Sequence, residues 1–195
     1  MTFTQAQPEG NPTAVNSNEH QAARYFPNGT FGPLNTFRDT FANGSYSKQL
    51  RALNEPVVYT ADSTVELYRF TWLRTFHNPV AIRVEKKSNQ YIMTWKVCNG
   101  AGGYDPGELK TDRQIILNDS IWVEFQKRIE QIDFWNLETN IESIGYDGSE
   151  WILEGKKAGN YHVVERWTPR EGSRFYECCE FLIKLTDLKI KKWEM

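Results

Sequence analysis

Histidine and cysteine, from which many metal centres and nucleophile–base pairs are built, number only three each in this 195-residue chain. Cys98, Cys178 and Cys179 are odd in number and two are adjacent, which excludes a disulfide framework. His20, His77 and His162 lie far apart, and none stands at ligand spacing from another histidine or cysteine. Neither a zinc site nor any other metal or cofactor is therefore expected. Apolar runs are short as well. None approaches the roughly 20 residues needed to cross a bilayer, so no membrane insertion is expected. The start, Met1-Thr-Phe-Thr-Gln-Ala-Gln-Pro8, has neither the basic beginning nor the apolar centre of an export signal, and a cytoplasmic location is the expectation. Charge of one sign is missing too: 23 Lys and Arg against 25 Asp and Glu leave 23 − 25 = −2. That balance argues against a broad electrostatic grip on nucleic acid.

Complete catalytic signatures are also absent. There is no Gly-x-Ser-x-Gly. The loop Asn99-Gly-Ala-Gly-Gly-Tyr-Asp-Pro-Gly107 follows a predicted strand as a phosphate-binding turn would. It lacks the third glycine, however, and places Pro106 where a helix should begin. Cys98 with His77 or His162 is the nearest approach to a nucleophile–base pair, but a lone cysteine at a strand end is more often structural. The chain is thus read as leaning away from an enzyme.

What is present is aromatic weight, with 7 Trp, 9 Tyr and 11 Phe, and period-two alternation. Tyr68, Phe70 and Trp72 alternate with Arg69 and Thr71. Val80, Ile82 and Val84 alternate with Ala81, Arg83 and Glu85. Tyr91, Met93, Trp95 and Val97 alternate with Ile92, Thr94 and Lys96. Three half-buried antiparallel strands are predicted there, with a short fourth over 113–117. Asn118 or Asp119 can cap a helix to about Ile132 with the stripe Ile121, Phe125, Ile129 and Ile132. A second hairpin over 150–167 turns near Lys157–Asn160, and Ser173 can cap a last helix. The fold class is therefore α+β: a mainly antiparallel sheet of five or six strands with two main helices packed on one face, in the order β-β-β-(β)-α-β-β-α.

Residues 1–43 read as a flexible, partly aromatic N-terminal arm, and 44–195 as a single α+β domain. Tyr25, Phe26, Phe31, Phe37 and Phe41 have no helical or strand period, which suggests an irregular segment laid across the domain and pinned by its rings, with a partner-binding segment as the less favoured alternative. Ser45 can cap a short helix, Tyr46–Asn54, stopped by Pro56.

The hairpin from Asp147 to Pro169 is the richest stretch. Trp151 and Leu153, with Tyr161, Val163 and Trp167, are assigned to the core. His162, Val164 and Arg166 are assigned to a second face shared with Arg69, Arg83, Glu85, Thr94, Lys96 and Glu154. That face reads as a solvated ladder of charge, or as a docking face for an acidic or mixed-charge partner. Glu165 falls on the presumed core face and needs a partner, for which Arg74 is the candidate. The candidate binding residues are His77, Arg83, Tyr104, His162, Glu165 and Arg166.

Three stretches, Trp72-Leu-Arg-Thr-Phe-His-Asn-Pro79, Gly100-Ala-Gly-Gly-Tyr-Asp-Pro-Gly107, and Asp147-Gly-Ser-Glu-Trp-Ile-Leu-Glu-Gly155 with Tyr161-His-Val-Val-Glu-Arg-Trp-Thr-Pro169, resemble a family of uncharacterised bacterial proteins. The resemblance covers roughly residues 66–188. It implies a bacterial source and brings no activity or site residue with it. Some similar proteins are exported, which leaves the cytoplasmic expectation open. Two functions remain: a non-enzymatic protein that binds a protein partner in the manner of an inhibitor or immunity factor, or a small-ligand binder or enzyme with its site between the 99–107 loop and the 150–167 hairpin. A third, a structural unit of a larger assembly, would use the 113–117 edge to accept a neighbour's strand.

Overall fold

The computed structural model describes residues 24–141, 145 and 147–190. The readings of His20 and of residues 1–23 lie outside them.

Six strands form one antiparallel sheet in the order β4-β3-β2-β1-β5-β6. They are β1 (Glu66–Arg74), β2 (Val80–Lys87), β3 (Gln90–Cys98), β4 (Leu109–Leu117), β5 (Ser149–Lys157) and β6 (Asn160–Trp167). The helices are α1 (Phe37–Ala52), α2 (Asp119–Gln131) and α3 (Arg174–Lys184). The α+β class follows directly. Two helices do share one face: α2, α3 and the short turn Phe134–Asn136 cover Tyr68, Phe70, Trp72, Val80, Ile82, Val84, Met93 and Trp151. Period-two alternation supplies that apolar face, and Asn118 and Ser173 cap the helices through Ile121 N–H and Tyr176 N–H.

The second face is covered too. Its odd-numbered β1 positions and their neighbours, Leu73, Ala81, Cys98, Ile152 and Val163, pack under α1 and the segment that leads into it. This helix has 16 residues, nearly twice the length read from sequence. Thr36, not Ser45, is its cap, accepting from Asp39 N–H, and Asn54 ends it in the left-handed region at φ +50°. The Asp39 carboxylate accepts from Gly29 N–H at 2.8 Å and Phe31 N–H at 3.0 Å. That pins Tyr25, Phe26 and Phe31 in the core, as the aromatic-arm reading expected for those rings. Phe37 and Phe41 stay outside, on the helix surface. The described part of the arm is therefore packed structure from Arg24 onward, and α1 crosses the boundary drawn at residue 43.

The hairpin register corrects the face assignment. A two-residue turn, Ala158 (φ +49°) and Gly159 (φ +81°), sets Lys157 opposite Asn160. Odd residues of β5 thus face the same side as even residues of β6: Trp151 opposes Arg166 and Leu153 opposes Val164. His162 and Arg166 lie on the α2/α3 side. Tyr161, Val163, Glu165 and Trp167 lie on the α1 side.

Candidate functional site

The charges of the second face are paired rather than simply solvated, and all those named except the partly exposed Arg83 are buried. Arg69 is 0% exposed and donates from Nε and Nη2 to Glu154 Oε2 at 2.8 and 2.5 Å, and from Nη1 to the Pro56 carbonyl at 2.6 Å. Glu55 receives Arg83 at 3.1 Å and Lys96 at 3.4 Å, and Arg83 also pairs with Glu85 at 2.9 Å. Residues 53–58 lower Glu55 onto these cations, so neutralisation rather than water satisfies them. Burial works against the Arg69 charge, yet Glu154 and Glu55 more than offset it and raise its pKa. Arg83 is thereby a member of an internal ion network.

The other candidates separate. His162 rests against Phe134 at 5.2 Å with Nε2 2.9 Å from the Leu137 carbonyl, and burial lowers its pKa. Arg166 holds the Glu138 and Thr139 carbonyls and covers the Phe175 ring. Both brace the 137–140 segment along the outer edge of β6. His77 and Tyr104 meet at the glycine loop. Gly102 N–H donates to the His77 carbonyl at 2.8 Å, and Tyr104 stacks on Phe76. Gly102 packs so closely on Leu73 and Arg74 backbone that a Cβ there would lie 2.7 Å away. Arg74 does not reach Glu165: it lies over the Trp72 ring and donates to the Asn78 carbonyl on the opposite face.

Glu165 instead faces α1. Tyr46 Oη donates to its Oε1 at 2.5 Å, and Arg38 Nη2 donates to Oε2 at 3.0 Å. Beside it lies a cavity of about 130 Å³ lined by Arg38, Ile141, Gly145, Glu150, Glu165 and Trp167. Burial, then the charge of Glu165, pushes the Glu150 carboxyl up to about 7; Tyr46 and Arg38 pull the other way. Burial also raises Glu165, against Tyr46 and Arg38. Oε2 of Glu150 is sealed from solvent and hydrogen-bonds to none of the described residues. Two carboxyls near one tyrosine hydroxyl can hold a proton at neutral pH, and one oxygen of Glu150 is left without a described partner. α1 carries this arrangement toward the glycine loop, because Gln49, one turn beyond Tyr46, donates to the Tyr104 carbonyl at 3.1 Å.

Sequence reasoning found Glu165 and missed Arg38, Tyr46, Glu150 and Trp167 as its companions. The available signal was the run Glu150, Ile152, Glu154, which places acids on one face of β5. Outside the cavity, α1 exposes Leu34 just before its start, then Phe37 and Phe41, at 61%, 83% and 64%; the two rings stack at 5.6 Å. Arg38 sits between them in sequence, and Ile141 on the cavity wall is 56% exposed. No group of His, Cys, Asp and Glu suited to a metal occurs among the described residues. None of the described helices is long and apolar enough to cross a membrane. Neither protein-family models nor curated proteins give a match to this chain.

Proposed function

We propose that the chain is a non-enzymatic binding protein that docks a protein partner at the end of the sheet where α1 meets the β5–β6 hairpin. The observation that supports this reading is the stacked, exposed Phe37–Phe41 pair beside a polar cavity. Interfaces concentrate their energy in aromatic anchors next to a few fixed polar groups, and large exposed apolar patches are uncommon where nothing covers them. Leu34, Phe37, Phe41 and Ile141 supply the anchors. Arg38, held by Glu165 and the Phe31 carbonyl, supplies a fixed polar rim.

The test is position-dependent photo-cross-linking in the native host, with benzoylphenylalanine at position 37 and, as control, at the exposed Lys127 on α2. A single defined protein adduct from position 37, abolished by Phe41→Ser, supports the reading. Equal adducts from both positions, or none from position 37, refute it.

One observation favours a second reading, an acid–base site for a small ligand: Glu150 and Glu165 share the neighbourhood of Tyr46. A general acid with a pKa near 7 suits proton transfer at neutral pH. This reading uses the hairpin but not His77, Tyr104 or His162, and turnover of a metabolite library lost in Glu150→Gln would favour it over docking.

A further inference from the structure

We infer that two copies of this chain join edge to edge through β4, antiparallel, with Gln114 opposite its own copy, so that their sheets become one. The surface lies apart from the α1 docking site and does not depend on it. A free edge is the first observation. Ser88 and Asn89 make a two-residue turn that closes on Lys87 opposite Gln90. The closing pair of such a hairpin exchanges both main-chain hydrogen bonds, so even-numbered β3 residues bond to β2 and odd-numbered ones to β4. The end of the strand agrees: Cys98 N–H donates to the Pro79 carbonyl, and Asn99 N–H to the Glu108 carbonyl. Thr111, Arg113, Ile115 and Leu117 therefore turn their main-chain groups toward β3. Asp112, Gln114 and Ile116 turn theirs outward, where no described backbone group meets them. The described chain beyond α3 stays on the helix-covered face: Asp187 accepts from Trp95 Nε1 and pairs with Arg113, and Leu188 and Ile190 pack on the core there.

The edge is also weakly guarded. Edge strands are commonly protected by proline or by charges that repel a neighbour. β4 has no proline, and its charges pair within the chain: Lys110 with Glu108 at 2.7 Å, Asp112 with Lys96 at 3.8 Å, and Arg113 with Asp187. Ile115 and Ile116 stand 37% and 64% exposed, one on each face.

The opposite edge of the sheet shows why the occupant is a second β4. Glu165 N–H donates to the Thr139 carbonyl, and His162 and Arg166 hold the same segment along β6. A β4-to-β6 contact, which would run on as a filament, is blocked there. β4 against β4 is isologous and closes at two copies. Symmetry and charge then choose the register. A two-fold axis normal to the sheet keeps every side chain on its own face, so it must pass between a residue and its copy. The registers that pair most of β4 centre on Asp112, Arg113 or Gln114. The first two set like charges directly opposite, which is unfavourable. Centring on Gln114 sets its amide, both donor and acceptor, against itself. Asp112 then faces Ile116 of the second copy, and the two Ile115 side chains become diagonal neighbours.

The test is sedimentation velocity of the full chain over a concentration series, with hydrogen exchange at the β4 amides. A monomer–dimer equilibrium that stops at two copies is expected, in the micromolar range because one strand pair is a small interface. Asp112, Gln114 and Ile116 amides should gain protection as the dimer fills. Gln114→Pro removes only an outward N–H and should abolish dimerisation with the fold intact by circular dichroism. Ile116→Glu, facing Asp112, should weaken the dimer and Ile116→Lys tighten it, each roughly two- to thirtyfold because the contact occurs twice. If Gln114→Pro does not fold, the two Ile116 variants decide. A dimer indifferent to Gln114→Pro, equal effects of Glu and Lys at 116, or growth beyond two copies overturns the inference. So does a monomer at every concentration: protected amides then assign the edge to another segment of this chain, and freely exchanging ones leave it to a different protein's strand.

Discussion

Arg69→Met tests whether the second face is held by neutralised charge. Arg69 is fully buried between Glu154 and Glu55, and its guanidinium is the only described group besides the Tyr161 hydroxyl, at 3.1 Å, that hydrogen-bonds to Glu154. Removing it leaves one fully buried carboxylate with a single neutral donor. Breaking a buried pair from one side costs about 3–5 kcal/mol, whereas replacing both partners with apolar residues is often neutral or better. Glu55 suffers less, because Arg83 and Lys96 still reach it. For a domain of this size each kcal/mol moves Tm by about 2–4 °C, so Arg69→Met should melt roughly 6–20 °C lower. Met/Leu at 69 and 154 together should recover most of that loss. Urea unfolding of the two single variants and the double closes the cycle. A loss below about 1 kcal/mol in Arg69→Met, or simple additivity in the double, would show that the pair is not acting as a neutralised unit.

Other consequences are as specific. The folded-state pKa of Glu150 is raised to about 7, so its contribution to stability is fully present below its unfolded value of about 4.5 and is lost as pH rises toward 7. That loss is on the order of 3 kcal/mol, and Glu150→Gln should flatten the stability profile over this window, with denaturant midpoints at five pH values as the check. Asp39→Ala removes the acceptor for Gly29 and Phe31 N–H and should cost about 1–3 kcal/mol, with proteolytic cleavage appearing first between residues 24 and 36. Gly155→Ala would set a Cβ 2.8 Å from the Phe134 ring and 2.9 Å from Tyr68; a loss of about 1–3 kcal/mol is expected in thermal melts. Ser173→Ala deletes the α3 cap and should cost about 1 kcal/mol by the same measurement.

Legibility followed local physics. Tyr68-x-Phe70-x-Trp72 announced a strand because the pleat alternates side chains every residue, and Asn118 and Ser173 announced helix starts because a side-chain acceptor must serve the first free N–H groups. α1 was half missed. Its sequence is mixed on every face, with Asp39, Asn43, Ser47 and Gln49 buried, so no apolar stripe marks it, and its N-terminal turns read as an aromatic arm. The hairpin faces were misassigned although the turn had been placed at 157–160. A two-residue turn pairs odd with even positions, and with Val163 and Val164 both apolar the residues alone did not choose.

By itself the sequence determined five of the strands and only the second half of β4, which begins at Leu109 rather than Arg113, together with the two capped helices, the near-neutral charge and the absence of a familiar catalytic signature. Each is set by neighbours within a few residues or by composition. Only the tertiary structure decided that the charged face is interior, that Glu165 meets Arg38 and Tyr46 rather than Arg74, and that Glu150 opens on a cavity. Those outcomes depend on groups distant in sequence, 85 residues apart for Arg69 and Glu154 and 127 for Arg38 and Glu165, brought together by a register and a helix that cover one another.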